Sequence, residues 1–223
     1  MTVALPLNRT MAARYGEAVP VAADVVRVLA DNPGPFTFKG TNTYLVGRRT
    51  LTVIDPGPDD PAHLRAVIAA AAGRPITQIL LTHAHDDHLA GLAALQAATG
   101  ATCMGFAARA EAFSSAVGAG SRQENATRQR ISERGIAGDD PGATALVDLA
   151  FVPDRPLADG DRIDSDAGEL VALHTPGHAP DHLCFARAAD RVLFSGDHVM
   201  GWSTSVVAPP EGSMRDYIAA LER

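Results

Sequence analysis

Thr82-His83-Ala84-His85-Asp86-Asp87-His88 places three imidazoles and two carboxylates within seven residues, directly after the apolar run Gln78-Ile79-Leu80-Leu81. Imidazole nitrogen and carboxylate oxygen are the ligands that zinc and related divalent ions take. On an extended segment residues i and i+2 share a face, so His83 and His85 can grip one ion together. Asp87 and His88 lie past the turn and point elsewhere, so the run can serve two ions. A plainer role is also open, because Asp86 or Asp87 would make an N-cap for the following helix. Capping needs one side chain, however, and does not call for three histidines.

Two later segments carry related chemistry. Thr175-Pro176-Gly177-His178 follows the alternating run Leu170-Val171-Ala172-Leu173, and Ser195-Gly196-Asp197-His198 follows Arg191-Val192-Leu193-Phe194. Each candidate ligand therefore sits at the end of a predicted strand, and strand ends gathered on one sheet edge make a ligand ring. The order HxHxDH, then Gly-His, then Gly-Asp resembles the metallo-beta-lactamase superfamily. Gly40 to Leu45, Val53 to Gly57 and Thr175 to His182 most resemble the branch of beta-lactamase-like endoribonucleases and uncharacterised bacterial hydrolases.

The resemblance implies a first metal on His83, His85 and His178, a second on Asp87 and His88, and Asp197 between them. It implies a mixed α/β (α+β) fold, the four-layer αββα sandwich, with the site at one edge. The activity it implies is that of a metal-dependent hydrolase, with two zinc ions lowering the pKa of a shared water towards neutrality and Asp87 orienting the metal-bound hydroxide or accepting its proton. Phosphodiesters, thioesters, lactones and beta-lactams are all within its reach. Iron or manganese could stand for zinc. Persulfide dioxygenases keep the same motif with one iron, and a metal-binding protein without turnover is a third reading.

One departure concerns the second metal. The family supplies a further histidine after the Gly-Asp, yet Val199 to Arg223 contains none. Ser213 and Asp216 resemble a capping box, and Met214, Tyr217, Ile218 and Leu221 follow helical spacing with no Gly or Pro stop. The expectation is one metallo-beta-lactamase domain over 1–223 that lacks its C-terminal segment. His198 neighbours Asp197 and would point away from it on a continuing strand. His182, four residues after His178, either orients ligands with Asp181 or simply opens a strand; His63 and His174 carry no signal.

The elements that must position these groups are legible from patterning. Val25 to Leu29, Thr43 to Val46 and Leu51 to Ile54 read as short strands. A helix starts at Asp60-Pro61 and ends near Gly73, the strand Ile76 to Leu81 follows, and a helix runs from about His88 to Thr99. After Pro153 the sequence of strand, strand and metal loop returns. The polar stretch 121–134 is a solvated surface segment or a wall of the site, in which Arg122, Arg128 and Arg130 would meet an anionic substrate.

Composition bounds the rest. At 223 residues and 46% hydrophobic, the chain can bury the core of one domain. The net charge of −7 argues against non-specific nucleic-acid binding, so a nucleic acid would enter only as a phosphodiester substrate. No run approaches a membrane span, and the first residues lack the order of a secretory signal, so a cytoplasmic location is expected. Cys103 and Cys184 sit in strand-like apolar surroundings and read as buried free thiols. Oligomeric state is not encoded in any pattern here.

Overall fold

The computed structural model describes residues 7–106, 151–209 and 211–223. Arg122, Arg128 and Arg130 lie outside the described residues. Among the described residues eleven strands form two sheets. The larger sheet has the order β1 (Ala18–Ala22), β2 (Val25–Leu29), β3 (Asn42–Val46), β4 (Leu51–Ile54), β5 (Ile76–Leu80), β6 (Thr102–Phe106), β7 (Arg155–Leu157). The smaller has the order β11 (Val192–Phe194), β10 (Leu183–Arg187), β9 (Gly168–His174), β8 (Arg162–Ser165). Strands β1 to β4 pair antiparallel and β4 to β7 parallel, whereas the smaller sheet is antiparallel throughout. This is the four-layer sandwich of the expected α/β class.

Alternation on the strands decides which side chains fill which layer. Val25, Val46, Ile54, Leu80, Met104 and Leu157 of the larger sheet meet Ile163, Leu170, Ala172, Leu183, Phe185 and Phe194 of the smaller, all buried between the sheets. The intervening residues Val28, Leu45, Val53, Ile79 and Cys103 face the other way, against Val67 and Ala71 of helix α1 (Pro61–Ala71) and Leu89, Leu92 and Leu95 of the next two helices. Strands β4 and β5 therefore read as apolar on both faces, as strands covered on both sides must.

Helix boundaries are set by local chemistry. Asp60 caps α1 by accepting from the Ala62 N–H at 2.8 Å, Pro61 fills the first position, and Ala72 in the left-handed region ends the helix. The expected single helix from His88 to Thr99 is instead α2 (Asp86–Leu89) and α3 (Leu92–Thr99). Its first residue is Asp86, and His85 occupies the cap position without a side-chain cap bond, so neither aspartate serves as the N-cap. The break falls at Gly91, where the Pro56–Pro58 carbonyls approach so closely that a Cβ would lie 3.0–3.1 Å from their oxygens. Helix α4 (Met214–Leu221) is capped by Ser213, whose hydroxyl accepts from the Asp216 N–H as the capping pattern anticipates. Both cysteines are buried and free; burial pushes the Cys103 and Cys184 thiols up to about 12 and about 11.

A carboxylate joins the two sheets away from the site. Asp166, in the β8–β9 turn, accepts the backbone N–H groups of Arg48, Arg49 and Thr50 in the β3–β4 turn and pairs with the Arg49 guanidinium. These bonds, led by that of the Arg49 N–H, hold its carboxyl down at about 2 against the opposing effect of burial. A carboxyl depressed in the folded state stabilises it above the unfolded value of about 3.9 and loses that contribution as pH falls towards the folded value. Asp166→Asn should therefore lower the urea midpoint at pH 7, and the gap from the unaltered protein should close between pH 4 and pH 2.

In the core the fully buried Phe185 sits between the sheets. Phe185→Ala should cost about 3–5 kcal/mol in denaturant unfolding, the range for an aromatic deleted from a core that cannot collapse.

Candidate metal centre

Strands β4, β5, β9 and β11 run so that their C-terminal ends open on one edge between the sheets, and each end delivers a functional residue. Asp55 follows β4, His83 and His85 follow β5, His178 follows β9 and Asp197 follows β11. Two backbone contacts fix these loops together. The Leu183 N–H donates to the Thr82 carbonyl at 2.7 Å, and the Ala84 N–H donates to Asp181 Oδ2 at 3.1 Å. Gly196, with φ of 47°, allows the tightest approach, since a Cβ there would lie 2.7 Å from His182 Nε2 and 2.9 Å from Thr82. That left-handed residue also ends the extended run, so Asp197 and His198 do not alternate as on a continuing strand.

His83, His85 and His178 converge. His83 Nε2 lies 2.8 Å from His85 Nδ1, which lies 3.0 Å from His178 Nε2, and all three residues are buried. The outward nitrogens show where the protons are. His178 Nδ1 is 2.6 Å from the Val206 carbonyl, which can only accept. His83 Nδ1 is 3.0 Å from Thr82 Oγ1, whose own proton goes to Asp55 Oδ2 at 2.8 Å. His85 turns Nε2 towards the Glu211 carboxylate at 3.5 Å. With His83 and His178 protonated on those outward nitrogens, both their Nε2 lone pairs face His85 Nδ1, an arrangement suited to a cation between the three rings. Burial, reinforced by neighbouring imidazoles, lowers the pKa of His83, and burial also lowers that of His178, which keeps both neutral and able to ligate.

The second group is built around His88. Its Nδ1 donates to Asp55 Oδ2 at 2.8 Å, while Nε2 faces Asp87 Oδ2 at 3.3 Å and Asp197 Oδ1 at 3.4 Å. Burial would strip His88 of charge, but Asp87, Asp55 and Asp197 outweigh it and hold its pKa well above the usual histidine range. The same pairing works on the carboxyls: burial pushes Asp87 and Asp197 up, yet the His88 charge prevails and both lie below the usual carboxylate range. A pocket that balances its carboxylates with an imidazolium is one that a dication also satisfies.

Asp197 spans the two groups, with Oδ1 towards His88 and Oδ2 3.5 Å from His178 Nε2. Either His83, His85 and His178 or His83, His88 and Asp197 bring their donor atoms within 4.8 Å of one another. The structure therefore assembles all six residues that sequence reasoning singled out as ligands. It also shows what that reasoning left without a role. Asp55 accepts from the Thr82 N–H and hydroxyl at 2.8 Å each and from His88, so it orients a candidate ligand of each group. Thr41 donates to Asp87 Oδ2 at 3.0 Å and is itself held by Asn32. Their signal lay in Ile54-Asp55-Pro56-Gly57 and Gly40-Thr41-Asn42, polar residues next to turn glycines at strand ends.

The four other histidines divide clearly. His182 accepts from the Asp197 N–H at 3.2 Å while Nδ1 meets Thr175 Oγ1 at 2.9 Å, so it orients a candidate ligand residue. His198 is buried beside Tyr217, whose hydroxyl donates to the His198 carbonyl at 2.9 Å. His63 pairs with Thr43 at 2.8 Å beneath Gly57, and His174 stacks on Phe106 at 3.9 Å.

The chain belongs to the metallo-beta-lactamase superfamily, whose family model matches residues 36–223. It is 33% identical over 196 residues to the lactamase-like protein aptB of Emericella nidulans, covering 85% of this chain and 51% of that protein. It is 32% identical over 187 residues to an atrochrysone carboxyl ACP thioesterase of Aspergillus chevalieri, covering 82% and 48%. The chain thus spans about half the length of these curated relatives. Among solved structures, the metallo-beta-lactamase family protein TTHA1429 of Thermus thermophilus superposes with a TM-score of 0.69 at 22% identity, over 91% of this chain and 69% of that one. No helix among the described residues is long and apolar enough to cross a membrane.

Asp55→Asn replaces one acceptor oxygen by a donor facing Thr82 and His88. Zinc affinity, read by competition with a coloured chelator, should fall by roughly 10–100-fold, the effect typical of an outer partner that orients a ligand. An unchanged affinity would deny Asp55 that role.

Proposed function

We propose that this protein is a metal-dependent hydrolase that binds two zinc ions and cleaves a thioester. The observation that supports it most directly is the convergence of His83 Nε2, His85 Nδ1 and His178 Nε2 with their protons committed elsewhere, next to a second group joined to the first by Asp197. His83, His85 and His178 would hold one ion, Asp87 and His88 the other, with Asp197 between. The pair supplies Lewis acidity, which acidifies water and polarises a carbonyl oxygen. Thioester is favoured among the possible bonds because relatives of this chain bear the name of ACP thioesterases.

This chain's residues do the positioning. Asp87 is kept ionised by His88 and pinned through Oδ2 by Thr41, so it acts as an acceptor that orients the attacking water. His88 and Asp197, fixed by Asp55 and by His182, close the opposite side. A cavity of about 320 Å³ opens from this edge, lined by Asp87, His88 and Asp197 at one end and by Phe36, Phe38 and Trp202 further out. It offers an acyl group an apolar wall and excludes water from one side of the reacting carbonyl.

The test joins metal content to turnover. Protein purified without added metal should carry close to two zinc ions per chain and hydrolyse acyl thioesters of N-acetylcysteamine. Chelation should abolish turnover and zinc should restore it. His83→Ala should lower kcat/KM by more than the roughly 10–100-fold expected for an outer partner. One ion per chain would mean that Asp87, His88 and Asp197 do not suffice for the second. Iron with oxygen consumption on a persulfide, cleavage of phosphodiesters but not thioesters, or bound metal without turnover would each replace this reading.

A further inference from the structure

Arg27 stands where the fold calls for an apolar side chain. The registers Arg27↔Tyr44, Tyr44↔Ile54, Ile54↔Leu80 and Leu80↔Met104 form one row across the larger sheet. Residues in such a row face the same way, and Ile54, Leu80 and Met104 of this row lie in the core between the sheets. Val25, next on the same face of β2, is buried there too. Arg27 therefore carries a fixed cation on the inner face of the sandwich, where charge is kept only when something compensates it.

Nothing among the described residues does so. Arg27 makes no ion pair; its Nη1 donates to the Met11 sulfur at 3.1 Å, a weak acceptor, and its Nε is buried without a partner. Asn42, on the same face of β3, has a buried Oδ1 that also lacks a partner. The carboxylates of the metal centre do not need the guanidinium, because Asp55, Asp87 and Asp197 already face Thr82, Thr41, His88 and His178. Both Arg27 and Asn42 line the cavity that opens on Asp87 and Asp197.

Part of the cavity wall is aromatic, which suits a flat apolar ligand laid against it. Phe38 and Trp202 stack at 4.9 Å with 11° between their planes, and Tyr44 meets Phe194 edge-on at 5.2 Å. Two strand spacings separate Arg27 from Ile54, the residue before Asp55, which is roughly 10 Å. Tyr44 stands between them in the row and lines the cavity, so an aryl ring laid against the Tyr44 side chain would span that distance. We infer that Arg27 and Asn42 form an acid-recognising subsite, and that the preferred acyl group is a flat, aryl-sized body with an anionic oxygen group, such as a carboxylate, at the end remote from the scissile carbonyl.

The inference rests on the hydrolase reading for its kinetic readout alone. The first measurement is calorimetry on zinc-loaded protein with terephthalate and with 4-carbamoylbenzoate. Both offer one carboxylate to the metal centre, and they differ only in the charge of the far group. Terephthalate should bind roughly tenfold more tightly, as a charge-assisted bond to a partly buried guanidinium warrants. Arg27→Met should bring the ratio to within about twofold, and Arg27→Lys, which keeps the charge but not the fork, should retain part of it. The second measurement is the kcat/KM ratio of the 4-carboxybenzoyl and 4-carbamoylbenzoyl thioesters of N-acetylcysteamine, which should move in parallel.

A ratio near one in the unaltered protein overturns the subsite whatever the variants do, as does equal weakening of both ligands by Arg27→Met, which would mark a structural role. Failure of terephthalate to bind overturns it too. Absence of turnover on both thioesters with the calorimetric preference intact would instead remove the thioesterase reading and leave the subsite standing.

Discussion

The buried carboxylate of Asp55 is the constraint from which the centre is built. It accepts from the Thr82 N–H, the Thr82 hydroxyl and His88 Nδ1, and through the Thr82 hydroxyl it fixes the proton of His83 as well. One side chain at the end of β4 thereby sets the ring orientation of a candidate ligand in each group, so that Nε2 of both His83 and His88 turns inward. Its backbone is in the left-handed region, with φ of 54°, which aims the carboxylate across to the loop after β5 rather than on along the strand. Such a conformation in a residue other than glycine carries a cost, which three hydrogen bonds from buried donors offset.

The two sheets must be held in register for this to work, because His83, His85 and Asp87 come from one and His178 and Asp197 from the other. Apolar contact between the sheets supplies most of the adhesion but little direction. Direction comes from polar contacts at both ends. Leu183 to Thr82 and Ala84 to Asp181 act at the site, and Asp166 to Arg48, Arg49 and Thr50 at the far side. Close approaches complete the fit: with φ of 143°, Gly177 lets α4 pack so near that a Cβ would lie 2.5 Å from Tyr217 Cα.

Charge is distributed with the same economy. The chain is acidic overall, yet the carboxylates at the centre are each matched to an imidazole or a hydroxyl, and the inner-face Arg27 is not matched to any of them. On the proposed reading, a centre completed by divalent ions and flanked by this cation would favour substrates with electron-rich oxygen at two places, one at the reacting carbonyl and one at the Arg27 end of the cavity.

Sequence alone marked the candidate chemistry and the strands and helices that flank its motifs. Histidine and aspartate at HxHxDH spacing, each cluster placed after an apolar run, mark candidate ligands at strand ends, because periodicity and side-chain chemistry are local properties. The superfamily and the layered sandwich follow from the same motifs. Only the tertiary structure decided which nitrogen of each imidazole faces inward, because protons are assigned by partners distant in sequence, such as Val206 for His178. It alone gave Asp55, Thr41 and His182 their roles, since an aspartate, a threonine and a histidine in turns look alike whether they orient a ligand or meet solvent. The break at Gly91 depends on carbonyls from Pro56 to Pro58, a contact no helical pattern records. Arg27 reads in the chain as one polar residue in a valine strand, and only its row across the sheet shows that it faces inward, towards the cavity.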